Sequence, residues 1–398
     1  MVDYKSNPQI LEHLQKSLAW TVFDTKWIPG TSSFVAAGAY ARGTGALHVY
    51  ELGEQELSTV EEKEVRPASI KCCTMGASTL RDPQVATGDF EGKLEIFDLD
   101  TIKPTYTVKN AHGAIINCID GIGGSMRGYG APEICTGGRD GRVCVWDPRQ
   151  KDLPVAVFEP KGSAVSSDDD LDKAQAAPKP VRDCWTVGFG HSYNDEERCV
   201  IAGYDSGDVK IFDLKMNKVR WEGNVGNGVC GVEFDRREIE MNKFVVACLE
   251  SKFHVFDART QHATKGFASA VQTYKTTPSF IAMQNAEEQA KKKEAESASA
   301  TTVWGVKHLP QNRELMMLLG GDGALNLYKY HYPDQRRTKD DNGEDVGVAG
   351  TIEILSTKSM SSQPICSFDW SPDKQGLCCM GSFDQCIRVG FVTKLNKF

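Results

Sequence analysis

EICTGGRDGRVCVWDP, Glu133–Pro148, carries a pattern that returns along the whole chain. An apolar run enters a small-residue turn ending in Asp140-Gly141, and a second, alternating run leaves it and ends in Trp146-Asp147. QVATGDFEGKLEIFDL from Gln84, CVIAGYDSGDVKIFDL from Cys199 and FVVACLESKFHVFDA from Phe244 repeat it closely. FVAAGAYARGTGALHVYEL from Phe34, ELMMLLGGDGALNLYKY from Glu314 and GLCCMGSFDQCIRVGFV from Gly376 repeat it loosely, for seven copies in all. The closing aromatic falls at Tyr50, Phe97, Trp146, Phe212, Phe256 and Tyr328, in steps of 47, 49, 66, 44 and 72. The short steps match the roughly 40–45 residues of one propeller blade, and the long ones a blade plus an insertion.

Period-two alternation on both sides of a glycine-containing turn predicts strand, tight turn, strand. One such blade cannot bury both of its faces, whereas seven around a channel cover each other. The repeats resemble those of the WD-repeat family over nearly the whole chain. They predict an all-β, seven-bladed WD-repeat propeller as a single unit spanning residues 1–398. The last repeat offers only three strands, at Ile365–Trp370, Gly376–Met380 and Cys386–Val392, before the chain stops at Phe398. The orphan segment Pro8–Lys16 (PQILEHLQK) alternates Ile10, Glu12, Leu14 and Lys16 and is expected to supply the missing outer strand, which removes an open edge. A short N-terminal helix is the competing reading on propensity alone.

No N-terminal signal-length apolar run and no stretch long enough to span a bilayer occurs in the sequence, which predicts a soluble, cytoplasmic protein. Most of the 13 cysteines fall inside strand patterns and no CxxC pair occurs, so reduced, buried thiols are expected. The net charge of −8 opposes general nucleic-acid affinity. The basic clusters Lys291–Lys293 and Arg336–Arg337 lie among acidic residues and read as solvated loops.

Three segments break the pattern. Residues 161–180 (SSDDDLDKAQAAPKP within them) are acidic and proline-closed and read as a disordered loop; 275–302 are rich in Ala, Glu and Lys and read as a loop with a short solvated helix. Residues 331–350 (PDQRRTKDDNGEDVG within them) read as a charged surface loop. The first two join an outer strand to the next inner strand and are expected at one end of the propeller, the third at the other. Padding of loops is the simplest account of all three, since insertions there cost little.

Catalytic signatures are missing: the sequence has no GxSxG, HExxH, Walker loop or GxGxxG opening a helix. The Gly-rich string Asp120–Gly130 lies between two strands and lacks a following helix to bind phosphate. The eight histidines show no metal-ligand spacing, so neither metal nor cofactor is expected. The WD-repeat resemblance implies a structural hydrogen-bonded tetrad at His112, Thr136, Asp140 and Trp146. Only this blade carries it; elsewhere Glu91, Ser206 and Glu250 replace the turn Asp, and packing is expected to compensate. The resemblance also implies that the residue before the turn Asp points outward at one rim. Those positions are Phe90, Arg139, Asp205, Leu249 and Phe383, and the face they make is the candidate partner face; the inner strands near Trp185 and Trp304 are expected to open onto the same end, with a core place for both Trp residues as the alternative. Phe90 and Phe383 could equally fold back on neighbouring blades. Trp146-Asp147-Pro148-Arg149 and Phe256-Asp257-Ala258-Arg259 resemble the WDxR box through which substrate receptors dock on cullin-type ubiquitin ligases.

A longer resemblance runs through TVFDTKWIPG (Thr21–Gly30), NCIDGIGG (Asn117–Gly124), VWDPRQKDLPVA (Val145–Ala156), RDCWTVGFG (Arg182–Gly190), KFHVFDARTQHATKGFAS (Lys252–Ser269) and SFDWSPDKQGLC (Ser367–Cys378). These stretches are similar to WD-repeat proteins that act as cytoplasmic assembly factors for axonemal dynein. The resemblance implies a non-enzymatic scaffold, monomeric within larger complexes. It implies work with a prefoldin-like cochaperone assembly containing RuvB-like ATPases, on dynein heavy chains as clients, with no nucleic-acid or membrane partner.

Overall fold

The computed structural model describes residues 7–62, 66–78, 82–101, 103–123, 132–150, 152–159, 182–192, 194, 196–236, 239–262, 264–276, 301–340 and 342–398. Seven four-stranded antiparallel sheets stand around a central channel. Blade 1 is typical: Thr21–Trp27 lies innermost, then Ser33–Ala39, Gly45–Leu52 and Leu57–Glu62 outward. The inner strands of blades 2 to 7 are Ile70–Thr74, Ile116–Gly121, Cys184–Gly190, Val229–Phe234, Val303–Leu309 and Ile365–Trp370. Consecutive inner strands touch, and that of blade 7 meets that of blade 1, so the ring is closed.

Blade 7 is completed by the N-terminal segment. Ile10–Ser17 pairs antiparallel with Cys386–Val392 as the outer strand, from Ile10 opposite Val392 to Ser17 opposite Cys386. The simple alternation expected there is interrupted by a bulge at His13, which brings Leu14 back toward the protein while Leu11 stays exposed. A helix over this segment would leave the third strand of blade 7 unpaired; the strand satisfies it.

The core is not one mass but seven apolar layers, each between two adjacent blades. The layer at the closing junction joins Trp20, Val22, Phe34 and Tyr50 of the blade 1 side to Cys379, Ile387 and Val389 of blade 7. The 13 cysteines are unbridged and nearly all buried. Cys118, Cys230 and Cys366 are only half-buried, and all three line the channel.

Residues 331–350 depart from expectation. They are not a plain loop: Arg337–Lys339 and Asp345–Gly347 pair as a small hairpin between the third and outer strands of blade 6. Gly343, at φ +79°, makes its turn, and Asp340 Oδ1 accepts the N–H groups of Asn342 at 2.9 Å and Glu344 at 3.0 Å. An Asn-Gly pair favours such a turn because glycine takes positive φ freely. Residues 161–180, residues 277–300 of the other expected insertion, and residues 124–130 of the Gly-rich string lie outside the described residues.

The closing strand should carry a measurable share of stability. Deleting residues 1–17 bares the edge of Cys386–Val392 and uncovers Ile10's apolar layer, so the truncated chain should melt several degrees below the full chain. Equal melting temperatures would mean that the strand does not close the ring.

Candidate protein-interaction site

The tetrad residues meet in blade 3. Trp146 Nε1–H donates to Thr136 Oγ1 at 2.8 Å, so the Thr136 hydroxyl proton is free to point at His112 Nε2, also 2.8 Å away. His112 therefore carries its proton on Nδ1 and donates it to Asp140 Oδ1 at 2.9 Å. Asp140 Oδ2 accepts Gly113 N–H and Arg142 Nε–H, each at 2.9 Å. Burial pushes the Asp140 carboxyl upward, but His112, Gly113 and Arg142 outweigh it and hold it well below the usual carboxylate range. Gly138 is required here, because a Cβ would sit 2.3 Å from His112 Nδ1. Thr136 has no solvent exposure, so its hydroxyl lacks the access a nucleophile needs.

Blade 7 holds a second carboxylate network on the matching turn, one the sequence pattern did not reveal. Asp384 accepts from Ser382 Oγ at 2.6 Å, Ser361 Oγ at 2.9 Å and the Arg388 guanidinium. Burial raises the Asp384 carboxyl, and the bonds from Arg388, Ser382 and Ser361 more than reverse that. Blade 7 thus adds a hydrogen-bond network of its own to the packing expected to compensate outside blade 3. Its signal was the turn Asp itself; Ser361 stands where His112 stands in blade 3, five residues before the inner-strand bulge, while Ser382 and Arg388 stand at positions with no tetrad residue. In blade 2, Asp89 takes over the turn, accepting the N–H groups of Glu91 and Lys93 at 2.9 Å and 2.8 Å.

Carboxylates also link blades across the channel wall. Asp24 accepts Cys73 N–H at 2.9 Å, Asp120 accepts Phe189 N–H at 2.9 Å, and Glu233 accepts His308 N–H at 2.5 Å. Asp369 does the same for Trp27 N–H at 2.8 Å, tying blade 7 to blade 1. Burial pushes the Glu233 carboxyl up, but Lys307 and His308 bring it down to about 2.

Every inner strand carries a bulge at the same place, on Phe23, Lys71, Asn117, Trp185, Cys230, Trp304 and Cys366. A bulge re-aims its side chain. All seven of these residues line one cavity of about 460 Å³ in the channel. Around it the aromatic rings form an arc over four blades. Phe90 lies 5.6 Å from Phe23, Phe23 lies 6.4 Å from Phe383, and Phe383 lies 5.5 Å from Trp304, centroid to centroid. Phe90 and Phe383 thus fold back onto Phe23, yet Phe90 stays 37% exposed and Leu249, which also lines the cavity, 40% exposed. Arg139 projects outward, its side chain 63% exposed and 3.9 Å from Asp183. Asp205 is half-buried beside them, one carboxylate oxygen wholly buried.

The two WDxR-like boxes are not equivalent. In the first, buried Asp147 grips Arg149 through two bonds, at 3.0 Å to Nε and 2.8 Å to Nη2, and Arg149 remains 67% exposed. In the second, Asp257 is fully buried and Arg259 donates to Met241 O at 2.9 Å and pairs with Glu240. The blade 6 hairpin covers this second box: Arg337 Nη2 donates to Arg259 O at 3.0 Å, Arg336 approaches Asp257 at 3.6 Å, and Lys265 pairs with Asp340 at 2.6 Å. Trp146 and Phe256, the aromatic members, are both core residues. Among the described residues no group of three His, Cys, Asp or Glu side chains is placed to hold a metal, and no helix is long and apolar enough to cross a membrane.

Comparison with known proteins places this geometry in a family. Residues 102–147, which hold the tetrad, match the WD domain, G-beta repeat family. Over its full length the chain is 54% identical to dynein axonemal assembly factor 10 of Chlamydomonas reinhardtii, covering 100% of both chains. It is 51% identical to that factor in Homo sapiens, over 98% of each chain, and 23% identical to the Dictyostelium discoideum one, over 95% of this chain and 93% of the other.

Trp146→Ala should cost about 3–5 kcal/mol, the usual range for truncating a buried aromatic. His112→Ala should also destabilise, by leaving Asp140 and Thr136 short of partners. Wild-type stability in urea for both variants would contradict a structural role. Because the Asp140 and Asp384 carboxyls are held below their unfolded values, their stabilisation is present above about pH 4 and lost as pH falls. Asp140→Asn should flatten the acid limb of stability against pH; an unchanged limb would show that Asp140 is not a source of it.

Proposed function

The chain belongs to the dynein axonemal assembly factor 10 family, and on that premise we propose that it is a non-enzymatic scaffold for the cytoplasmic preassembly of axonemal dynein. In this reading it works with a prefoldin-like and RuvB-like ATPase cochaperone assembly, and dynein heavy chains are its clients. The observation that carries the reading is the aromatic arc from Phe90 through Phe23 and Phe383 to Trp304. Aromatic and arginine side chains left partly exposed around a concavity are the composition of a protein-binding hot spot. Recognition of an unfolded or partly assembled client needs apolar surface on a rigid frame, and the bulged inner strands supply it without any moving part. The face formed by Phe90, Arg139, Asp205, Leu249 and Phe383 is therefore the proposed main partner contact.

A role as a cullin-type ligase receptor draws less support. Arg259 is held by Met241 O and Glu240 and is about half as exposed as Arg149, which leaves Arg149 as the more accessible arginine of the two boxes.

Affinity capture from ciliated cells tests the proposal. The tagged full chain should recover dynein heavy chains and RuvB-like ATPases, and a Phe90→Ser, Arg139→Glu, Phe383→Ser variant should lose at least about fivefold of that recovery while melting normally. Recovery of a ligase adaptor and cullin instead, or undiminished recovery by the folded variant, would overturn it.

A further inference from the structure

The channel mouth holds one lysine that its lining carboxylates leave without an ion pair. Three lysines line the cavity: Lys26, Lys71 and Lys307. Lys26 is paired with Asp24, and Lys307 with Glu233 at 3.1 Å. The carboxylates Asp24, Asp120 and Glu233 are in turn committed to backbone N–H groups of the next blade. Lys71 differs. Among the described residues it has no carboxylate partner, and its ammonium stands 5.1 Å from the centre of the Phe23 ring. The lining carries as many carboxylates as lysines, but Lys71 is the lining lysine whose charge no described carboxylate meets, and it stands beside Phe23 near the blade 2 end of the aromatic arc. Asp183 and Asp205 lie on the blade 4 side, near Arg139 and away from Lys71.

We propose that the mouth takes an extended partner segment in which an apolar side chain seats among Phe23, Trp185, Leu249 and Trp304 while a neighbouring carboxylate pairs with Lys71. This rests on the reading of the mouth as the partner face and adds the chemistry of what enters it. The cavity volume of about 460 Å³ admits one or two side chains rather than a folded element. Burying a carboxylate against Lys71 completes a charge pair that the folded chain leaves open, whereas a basic anchor meets repulsion there.

The test uses the purified full chain and three fluorescein-labelled decapeptides: one alternating Glu with Leu and Phe, one with Lys for each Glu, and one with Ser for each Glu. The Glu peptide should bind saturably below about 1 mM and at least about tenfold tighter than the Lys peptide. Lys71→Glu should remove that preference or invert it, and Lys71→Arg should keep it, with all variants melting as wild type. Absence of saturable binding, equal binding of the three peptides, or an unchanged preference in Lys71→Glu would overturn the proposal. If the acidic preference is missing while the Phe90→Ser, Arg139→Glu, Phe383→Ser variant still loses dynein heavy chains, the face stands and its occupant's chemistry falls. If that variant keeps its partners, the face itself is wrong.

Discussion

Ring closure is the constraint on which the rest depends. Each apolar layer lies between two blades, so no blade has a core of its own, and stability is a sum over junctions. Six junctions join neighbours in sequence. The seventh must be made between the two ends of the chain, and four separate devices make it. Ile10–Ser17 adds the outer strand to blade 7, Asp369 accepts Trp27 N–H, and the layer around Trp20, Val22 and Ile387 seals the gap. Thr25 and Ser367 add a buried hydroxyl pair at 3.0 Å across the same seam.

Closure also assembles the candidate site. The aromatic arc crosses the closing junction, since Phe23 belongs to blade 1 and Phe383 to blade 7. An open ring would separate these rings and dissolve the cavity. The shared bulge on the inner strands explains how one repeated backbone device presents seven side chains of five kinds to one opening. Repetition thus fixes the positions, and the departures from repetition (Phe, Lys, Trp, Cys at equivalent places) give the mouth its chemistry.

Particular residues show what the sequence revealed. The tetrad was legible because His112, Thr136, Asp140 and Trp146 stand at positions tied to a repeating turn. The closing strand was legible by counting, since blade 7 lacked one. The Asp384 network was not, because Ser361 replaces the histidine of blade 3 and Arg388 enters from the position of Cys144, so the residue types differ from the tetrad's. The carboxylates on the channel wall were hidden for a related reason: Asp24, Asp120, Glu233 and Asp369 bond to the next blade, and no local pattern records that. The hairpin of residues 331–350 was masked by its charge, although Asn342-Gly343 between Arg337–Lys339 and Asp345–Gly347 carried the turn signal. For Phe90 the sequence left exposure and fold-back open as alternatives; the ring packs on Phe23 and still stays partly exposed.

Hydrogen–deuterium exchange on the full chain, alone and in complex with captured dynein heavy chain, tests the central claim most directly. The account predicts slowed exchange at the turns bearing Phe90, Arg139, Leu249 and Phe383 and at the inner strands around Phe23 and Trp304. The hairpin of residues 331–350, at the other end, should be unchanged. Protection confined to that opposite end or to the outer strands would contradict it.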